Sequence, residues 1–360
     1  MSSFSSLFKP LKLGTLETPN RIFMAPLTRC RAEAGHIPGA LMVEYYTQRA
    51  TAGLIIAEAT MSIEGCSAFY AEPGIYSNKQ VEGWRRVTHA VHSAGGRIFL
   101  QLWHGGRACH PAFNNGTQPV SASALAISGD EVATREGSQP HVVPRALRDE
   151  EIPGVVAGFK QAAENAKAAG FDGVEAHGAN GYLIDQFLRD GTNKRTGPYG
   201  GALANRARLL LEVLATLSEV WGSERVGLRI SPLNSFNDIS DRDPIGLVSW
   251  LGARLNECNL AYLHMVRSDL LDQKHDDVMS TARTEYHGVL IGNMGYSAQE
   301  AADAITDNKV DAVAFGTPFL ANPDLPARLR AGAPLNKPDE ETFYTPGPKG
   351  YTDYPPWQAE

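Results

Sequence analysis

The chain has 360 residues, 43% of them hydrophobic and 20% charged. At about 150 residues per domain, that length allows two domains or one large α/β barrel, with ample core and no need of disulfides. The 33 basic and 40 acidic residues leave a net charge of −7, which argues against a nucleic-acid surface and against docking on anionic lipid. Four cysteines, Cys30, Cys66, Cys109 and Cys258, form no CxxC and no Cys/His cluster, so no metal site is expected. The start, MSSFSSLFKP, lacks the apolar run of a secretory signal. No stretch reaches the roughly 20 apolar residues that cross a bilayer. A cytoplasmic protein is expected, without nucleic-acid or membrane partners.

In chain order, Leu7–Leu16 reads as a hairpin. Eight β-rich runs follow: Arg21–Pro26, Leu54–Ala59, Arg97–Trp103, Gly173–His177, Val226–Ser231, Ala261–Val266, Gly288–Gly292 and Asp311–Gly316. Most are continuously apolar, as strands buried on both faces are. Amphipathic stretches lie between them at Lys79–Ser93, Pro153–Ala169, Asn205–Val220, Pro244–Glu257 and Ser297–Asp307. Asn78 and Ser297 precede two of these as candidate caps, and Ser297 has the capping-box spacing to Glu300. Eight strand–helix units predict a (β/α)8 barrel forming one domain over residues 1–360. A doubly wound sheet would show a glycine-rich turn after its first strand, and MAPLTR has no glycine. The surplus length falls into the hairpin, a long loop after strand 3 (about 105–151) and a C-terminal tail (about 335–360). The loop keeps apolar residues and reads as an ordered excursion over the barrel mouth. The aromatic, Pro-rich Phe343–Trp357 is expected to fold back onto the body.

Barrel chemistry sits at the carboxyl ends of strands. Polar residues gather there: Thr28, Glu58, Gln101, His104, His177, Arg229, His264 and Asn293. The densest group is His177-Gly-Ala-Asn180-Gly-Tyr182. His and Asn aimed at one oxygen would polarise a carbonyl and stabilise an enolate-like oxyanion, and Tyr182 could donate a proton. The bland alternative is a structural histidine capping the next turn, with a tyrosine buried in the wall. An arginine inside a parallel strand, Arg229, is rarely structural, because an unpaired buried charge costs several kcal/mol.

The segment HGANGYLIDQFLRDGTNKRTGPYGG (His177–Gly201) closely resembles the Old Yellow Enzyme family of FMN-dependent ene-reductases. MAPLTR (Met24–Arg29), LIIAEAT (Leu54–Thr60), QLWHGGR (Gln101–Arg107), PVSASAL (Pro119–Leu125), EEIPG (Glu150–Gly154) and NRARLLLEV (Asn205–Val213) resemble it in the same order. AYLHM (Ala261–Met265), FLANPDLPARL (Phe319–Leu329) and GYTDYP (Gly350–Pro355) continue the match, which spans nearly the whole chain. The branch it resembles holds the bacterial nitrate-ester and maleimide reductases, the plant oxophytodienoate reductases and the yeast enzymes. Thr28 fits that branch, since the thermophilic-like branch usually has Cys there.

The resemblance implies a TIM barrel holding non-covalent FMN at its mouth. NAD(P)H, with NADPH the family tendency, reduces the flavin and leaves. An electron-poor alkene then takes hydride from flavin N5. His177 and Asn180 would hold the carbonyl or nitro oxygen, and Tyr182 would protonate the α-carbon. Pro26, Leu27, Thr28, Ala59, Gln101, His177 and Arg229 would surround the flavin ring, with Arg229 by N1 and O2. Backbone N–H groups around Asn293, Met294, Gly295, Gly316 and Thr317, with helix N-termini, would reach the phosphate. Trp103, Phe69 and Tyr351 are candidate walls of the substrate pocket. Monomer and homodimer both fit.

The phosphate end departs from the family pattern. Thr317 stands where an arginine is usual, and Met294 where a small residue is common. A hydroxyl brings one hydrogen bond and no charge, which predicts weaker FMN binding and partial loss on purification. Among the other residues, His104 and His110 read as solvated or supporting, His264 as a packed core histidine or a flavin neighbour, and Asn234–Asp243 as a loop beside the mouth. Two other functions compete. An aldolase- or dehydratase-type barrel would want a strand lysine, and none of the eight predicted strands has one. A non-turnover flavin sensor or storage barrel would have no use for His177, Asn180 and Tyr182 together.

Overall fold

The computed structural model describes residues 4–134, 136–272 and 275–358. Eight parallel strands close into a barrel in chain order. They are β1 (Ile22–Met24), β2 (Ile55–Met61), β3 (Ile98–Trp103), β4 (Gly173–Gly178), β5 (Val226–Ile230), β6 (Tyr262–Val266), β7 (Leu290–Asn293) and β8 (Ala312–Phe315). The outer helices are α1 (Ala40–Gln48), α2 (Asn78–Ser93), α3 (Ile152–Ala168), α4 (Arg208–Trp221), α5 (Pro244–Leu255), α6 (Val278–Glu285), α7 (Ala298–Thr306) and α8 (Leu325–Ala331). All eight predicted strands form. Helices α1, α6 and α8 are short, at 9, 8 and 7 residues, and none was read from the sequence. Among the described residues no helix is long and apolar enough to cross a membrane.

Strand alternation explains the barrel's two cores. Val174, Ala176, Leu228, Leu263, Met265 and Val313 point outward into the layer shared with the helices. Phe23, Ile56, Phe99, Tyr262, Ile291 and Ala312 point inward and fill the lower barrel. The same inward parity, one layer higher, carries Gln101, Glu175, His177, Arg229, His264 and Asn293. Polar residues break the apolar runs only where the barrel opens. On β2 the register slips by one residue between Ala57 and Thr60. This bulge re-aims two side chains. Glu58 lies against Tyr46 of α1, and Ala59 lines the mouth.

The barrel bottom is closed by a hairpin, Leu11–Leu13 paired with Leu16–Thr18. It sits slightly later than the predicted Leu7–Leu16, because Ser5–Phe8 forms a 3-10 turn whose Ser6 hydroxyl donates to the Ala302 carbonyl at 2.8 Å. The cap of α2 is Ser77 rather than Asn78, and its hydroxyl and the Gln80 side chain satisfy each other's backbone N–H groups. Ser297 caps α7, accepting from the Glu300 N–H, but the capping box its spacing suggested does not close, because the Glu300 carboxylate pairs with Arg267.

The long loop after β3 carries its own antiparallel hairpin, Glu131–Thr134 with Gly137–Pro140. Arg107 ties its root to the loop after β5, donating to the Asn237 and Asp238 carbonyls at 2.8 and 2.6 Å. The C-terminal tail folds back and is hooked by two arginines that follow β1. Arg29 donates to the Phe343 and Gly350 carbonyls at 3.0 and 2.7 Å. Arg31 donates to the Thr342 and Phe343 carbonyls at 2.7 and 2.8 Å. Backbone carbonyls thus satisfy these two buried guanidinium groups.

Candidate active site

A cavity of about 650 Å³ opens at the carboxyl end of the barrel. A larger groove, about 810 Å³, lies on the outer surface between α4 and α5, lined by Arg208, Leu211, Trp250 and Arg254. It holds none of the polar groups that converge at the barrel mouth, so the smaller cavity is the site.

His177 ends the inward run of β4 and is only 4% exposed. Its Nδ1 lies 3.3 Å from the Ala179 N–H, which can only donate. The proton of the neutral ring therefore sits on Nε2, the nitrogen left for the cavity. Burial, reinforced by the Arg229 charge, pushes the imidazole well below its ordinary pKa. Asn180 takes a left-handed conformation, φ +57°, followed by Gly181 at φ +73°. This tight turn is fixed by the Asn180 N–H on Ser231 Oγ at 2.7 Å and the Gly181 N–H on Asp185 at 2.9 Å. The Asn180 side-chain oxygen accepts from Asn234 Nδ2 at 2.9 Å. Its NH₂ end is thereby left as a second donor.

Tyr182 completes the group. Its ring stands edge-on to Trp103 and to His177, each centroid 5.1 Å away. Burial raises its pKa, which keeps the phenol protonated. Two neutral N–H donors and one O–H donor thus line one cavity. The arrangement can bind an oxygen that gains negative charge and can deliver a proton nearby.

The floor is a buried polar layer. Glu175 accepts from Gln101 Nε2 at 2.7 Å and bonds His264 Nδ1 at 2.9 Å. Gln101 lines the cavity with its side chain held on Glu175, which fixes the orientation of its carboxamide. His264 lies beneath, fully buried on Glu175. Arg229 donates to Asn293 Oδ1 at 2.7 Å, and Asn293 Nδ2 donates to the Ala314 carbonyl at 2.8 Å. The Asn293 side chain therefore orients Arg229, and Asn293 itself lines the cavity beside Met294 and Gly295. Arg229 Nε has no hydrogen-bond partner among the described residues.

The other predicted residues divide. Pro26, Leu27, Thr28, Ala59, Phe69, Met294, Gly295, Gly316 and Thr317 all line the cavity. Trp103 and Tyr351 do not, which corrects two expected pocket walls. Trp103 is fully buried behind Tyr182. Tyr351 is fully buried and stacks on Tyr45 of α1 at 4.1 Å. The tail walls the site instead with Phe343 and Tyr344, set there by Arg29 and Arg31. Phe236, from the 234–243 loop expected beside the mouth, also lines the wall, together with Leu270 and Tyr296, loop residues that no periodic pattern marks. His104 builds the loop after β3, accepting from the Gly106 N–H at 3.0 Å, and burial presses its pKa to about 4. Cys30 is buried, and burial pushes its thiol up to about 12, so it is no nucleophile.

A mouth with donors on one side, a buried guanidinium at its floor and glycine turns after β7 and β8 defines a barrel enzyme that holds a phosphate-bearing cofactor. The chain belongs to the NADH:flavin oxidoreductase / NADH oxidase family, whose model matches residues 6–336. It is 51% identical over 358 residues to a "Probable flavin mononucleotide-dependent alkene reductase" of Leishmania infantum, covering 98% of each chain. It is 43% identical to 12-oxophytodienoate reductase 1 of rice, covering 97% of this chain and 92% of that one. Among solved structures, the old yellow enzyme from Trypanosoma cruzi superposes with a TM-score of 0.96 at 44% identity, covering 99% and 100% of the two chains. Morphinone reductase gives 0.94 at 46% identity, covering 99% and 98%. Membership of the Old Yellow Enzyme group and the TIM-barrel fold are thereby established for this chain.

The residues present fit a flavin. The cavity has the volume for a ring system and a substrate. The buried Arg229 Nε is unpartnered, and the turn after β7 is left-handed at Met294, φ +85°, and Gly295, φ +67°.

Proposed function

We propose that this chain reduces the C=C bond of α,β-unsaturated carbonyl or nitro compounds, with NAD(P)H as reductant and NADPH the preferred form. The single observation that carries this reading is the set of three neutral donors, His177, Asn180 and Tyr182, lining one cavity. When bound, FMN supplies the hydride. Pro26, Leu27, Thr28, Ala59, Gln101 and Arg229 would hold its ring, and Met294, Gly295, Gly316 and Thr317 its phosphate.

The chain's own groups account for the rest. His177 Nε2–H and the Asn180 amide bind the substrate oxygen and stabilise the charge that collects there. Because both donors are neutral, they bind a ground-state carbonyl weakly and its charged successor strongly. Tyr182 moves its proton to the α-carbon. Simple alkenes lack the oxygen and are not reduced. A side chamber of about 330 Å³ shares Phe69, Tyr182, Phe236 and Tyr344 with the main cavity and runs under the 131–140 hairpin. It gives room for substrates larger than a simple cyclic enone.

The test is a two-step colour change under anaerobic conditions. The yellow protein is expected to bleach with NADPH and recolour with 2-cyclohexenone but not with cyclohexene. Bleaching without recolouring by any activated alkene would favour the sensor or storage reading. A colourless protein that FMN does not restore would remove both.

A further inference from the structure

The end of the cavity formed by the loops after β7 and β8 lacks charge. Its lining there is Met294, Gly295, Tyr296, Gly316, Thr317 and Pro318. The two guanidinium groups that line the cavity lie elsewhere, Arg29 held by tail carbonyls and Arg229 on Asn293 at the floor. A doubly charged phosphate there would meet backbone N–H groups and uncharged hydroxyls, those of Thr317 and Tyr296. Proline at 318 removes one of those N–H groups.

Directly behind this lining stands Arg267, on the loop leaving β6. Its Nε donates to the Met294 carbonyl at 2.8 Å. Its guanidinium carbon sits over the Tyr296 ring, 3.7 Å from the centroid. Its Nη2 would come 3.8 Å from a Cβ built on Gly295. Both of its outer nitrogens also pair with Glu300 on α7. Met294 is thus a non-glycine residue in left-handed backbone whose carbonyl is held by an arginine. Successive N–H groups in such a turn make an anion-binding concavity.

We propose that Arg267 serves the cofactor's phosphate from outside the cavity. It fixes the left-handed Met294–Gly295 turn that presents the backbone donors, and it supplies across Gly295 the positive charge that the lining itself lacks. Arg267 is a positioning residue and counter-charge, with Glu300 competing for its charge. This rests on FMN being the cofactor, not on which substrate is reduced.

The experiment titrates the flavin-stripped full-length chain with FMN and, in parallel, with riboflavin, which has the same ring and no phosphate. Flavin fluorescence gives each dissociation constant, so alkene turnover plays no part. Arg267→Gln should weaken FMN about tenfold and leave riboflavin nearly unchanged. Glu300→Gln should tighten FMN about threefold, again sparing riboflavin. Equal weakening of both flavins in Arg267→Gln, or no change in either, overturns the proposal. Should Arg267→Gln fail to fold, Glu300→Gln decides alone, and unchanged or weakened FMN binding in it overturns the proposal.

Discussion

The two ends of the cavity are built from different material. The end after β4 is made of side chains: an imidazole, a carboxamide and a phenol, each fixed by a partner that leaves one donor free. The end after β7 and β8 is made largely of backbone, with glycines, one methionine in left-handed backbone and the uncharged hydroxyls of Thr317 and Tyr296. The first selects by chemistry, since three donors suit only an oxygen that gains charge. The second selects by shape, and draws its charge from a residue outside the lining. A reaction needs specific functional groups at one spot, whereas a phosphate can be held by N–H groups that any sequence supplies.

The largest expected effect lies at the side-chain end. His177→Ala should lower kcat/KM for an enone by about 10²–10³, the usual loss on removing an oxyanion donor. Asn180→Ala should cost less, because its amide is shared with the Asn234 network. Both should weaken the binding of phenols, which mimic the charged oxygen, and a phenol titration by flavin absorbance checks this. Unchanged phenol binding would move the oxygen site elsewhere. The backbone end can be converted to the other kind. Thr317→Arg should tighten FMN about tenfold by adding a charge-assisted bond, as measured by flavin retention on dialysis. Unaltered retention would mean that charge is already sufficient there. A smaller effect is expected where the tail meets the site. Tyr344 stacks on Phe69 and faces both chambers. Tyr344→Ala should raise KM for bulky enones about threefold to tenfold, with 2-cyclohexenone less affected.

The division between the two ends also decides what could be read from the amino-acid order. The eight strands were legible because their runs are apolar on both faces, and the interrupting polar residues mark the mouth. His177, Asn180 and Tyr182 stood out as functional side chains packed into six positions. The side-chain bond of Asn293 to Arg229, two strands away in the barrel, was not legible because nothing in the order of residues links the two positions. Tyr351 and Trp103 were misread because an aromatic near a mouth has the same signature whether it lines the wall or supports it from behind. Phe343, Tyr344 and the part played by Arg267 depend on long-range hydrogen bonds to carbonyls, which have no sequence pattern at all.

The smallest effect expected is on stability against pH, and buried groups around the mouth pull it in opposite directions. His104, pressed from 6.5 to about 4, and His177, also lowered, are native as neutral rings. Below about pH 6.5 the unfolded chain binds protons that the native rings refuse, so these two lose stability as pH falls. Glu58 runs the other way. Burial raises its carboxyl from 4.5 to about 7, so the native state holds the extra proton and stability falls as pH rises through that window. Glu58→Gln removes the second contribution and should widen the Tm gap between pH 8 and pH 5. A narrower gap would contradict the assignment of Glu58 as a buried, proton-holding carboxyl.

The side-chain end is tested most directly by measuring the two half-reactions of Tyr182→Phe separately in stopped flow. Flavin reduction by NADPH should stay within about twofold of the parent. Reoxidation by 2-cyclohexenone should slow by about 10²–10⁴, the range for a lost general acid. Equal slowing of both half-reactions, or no slowing of the second, would contradict a Tyr182 that donates the proton.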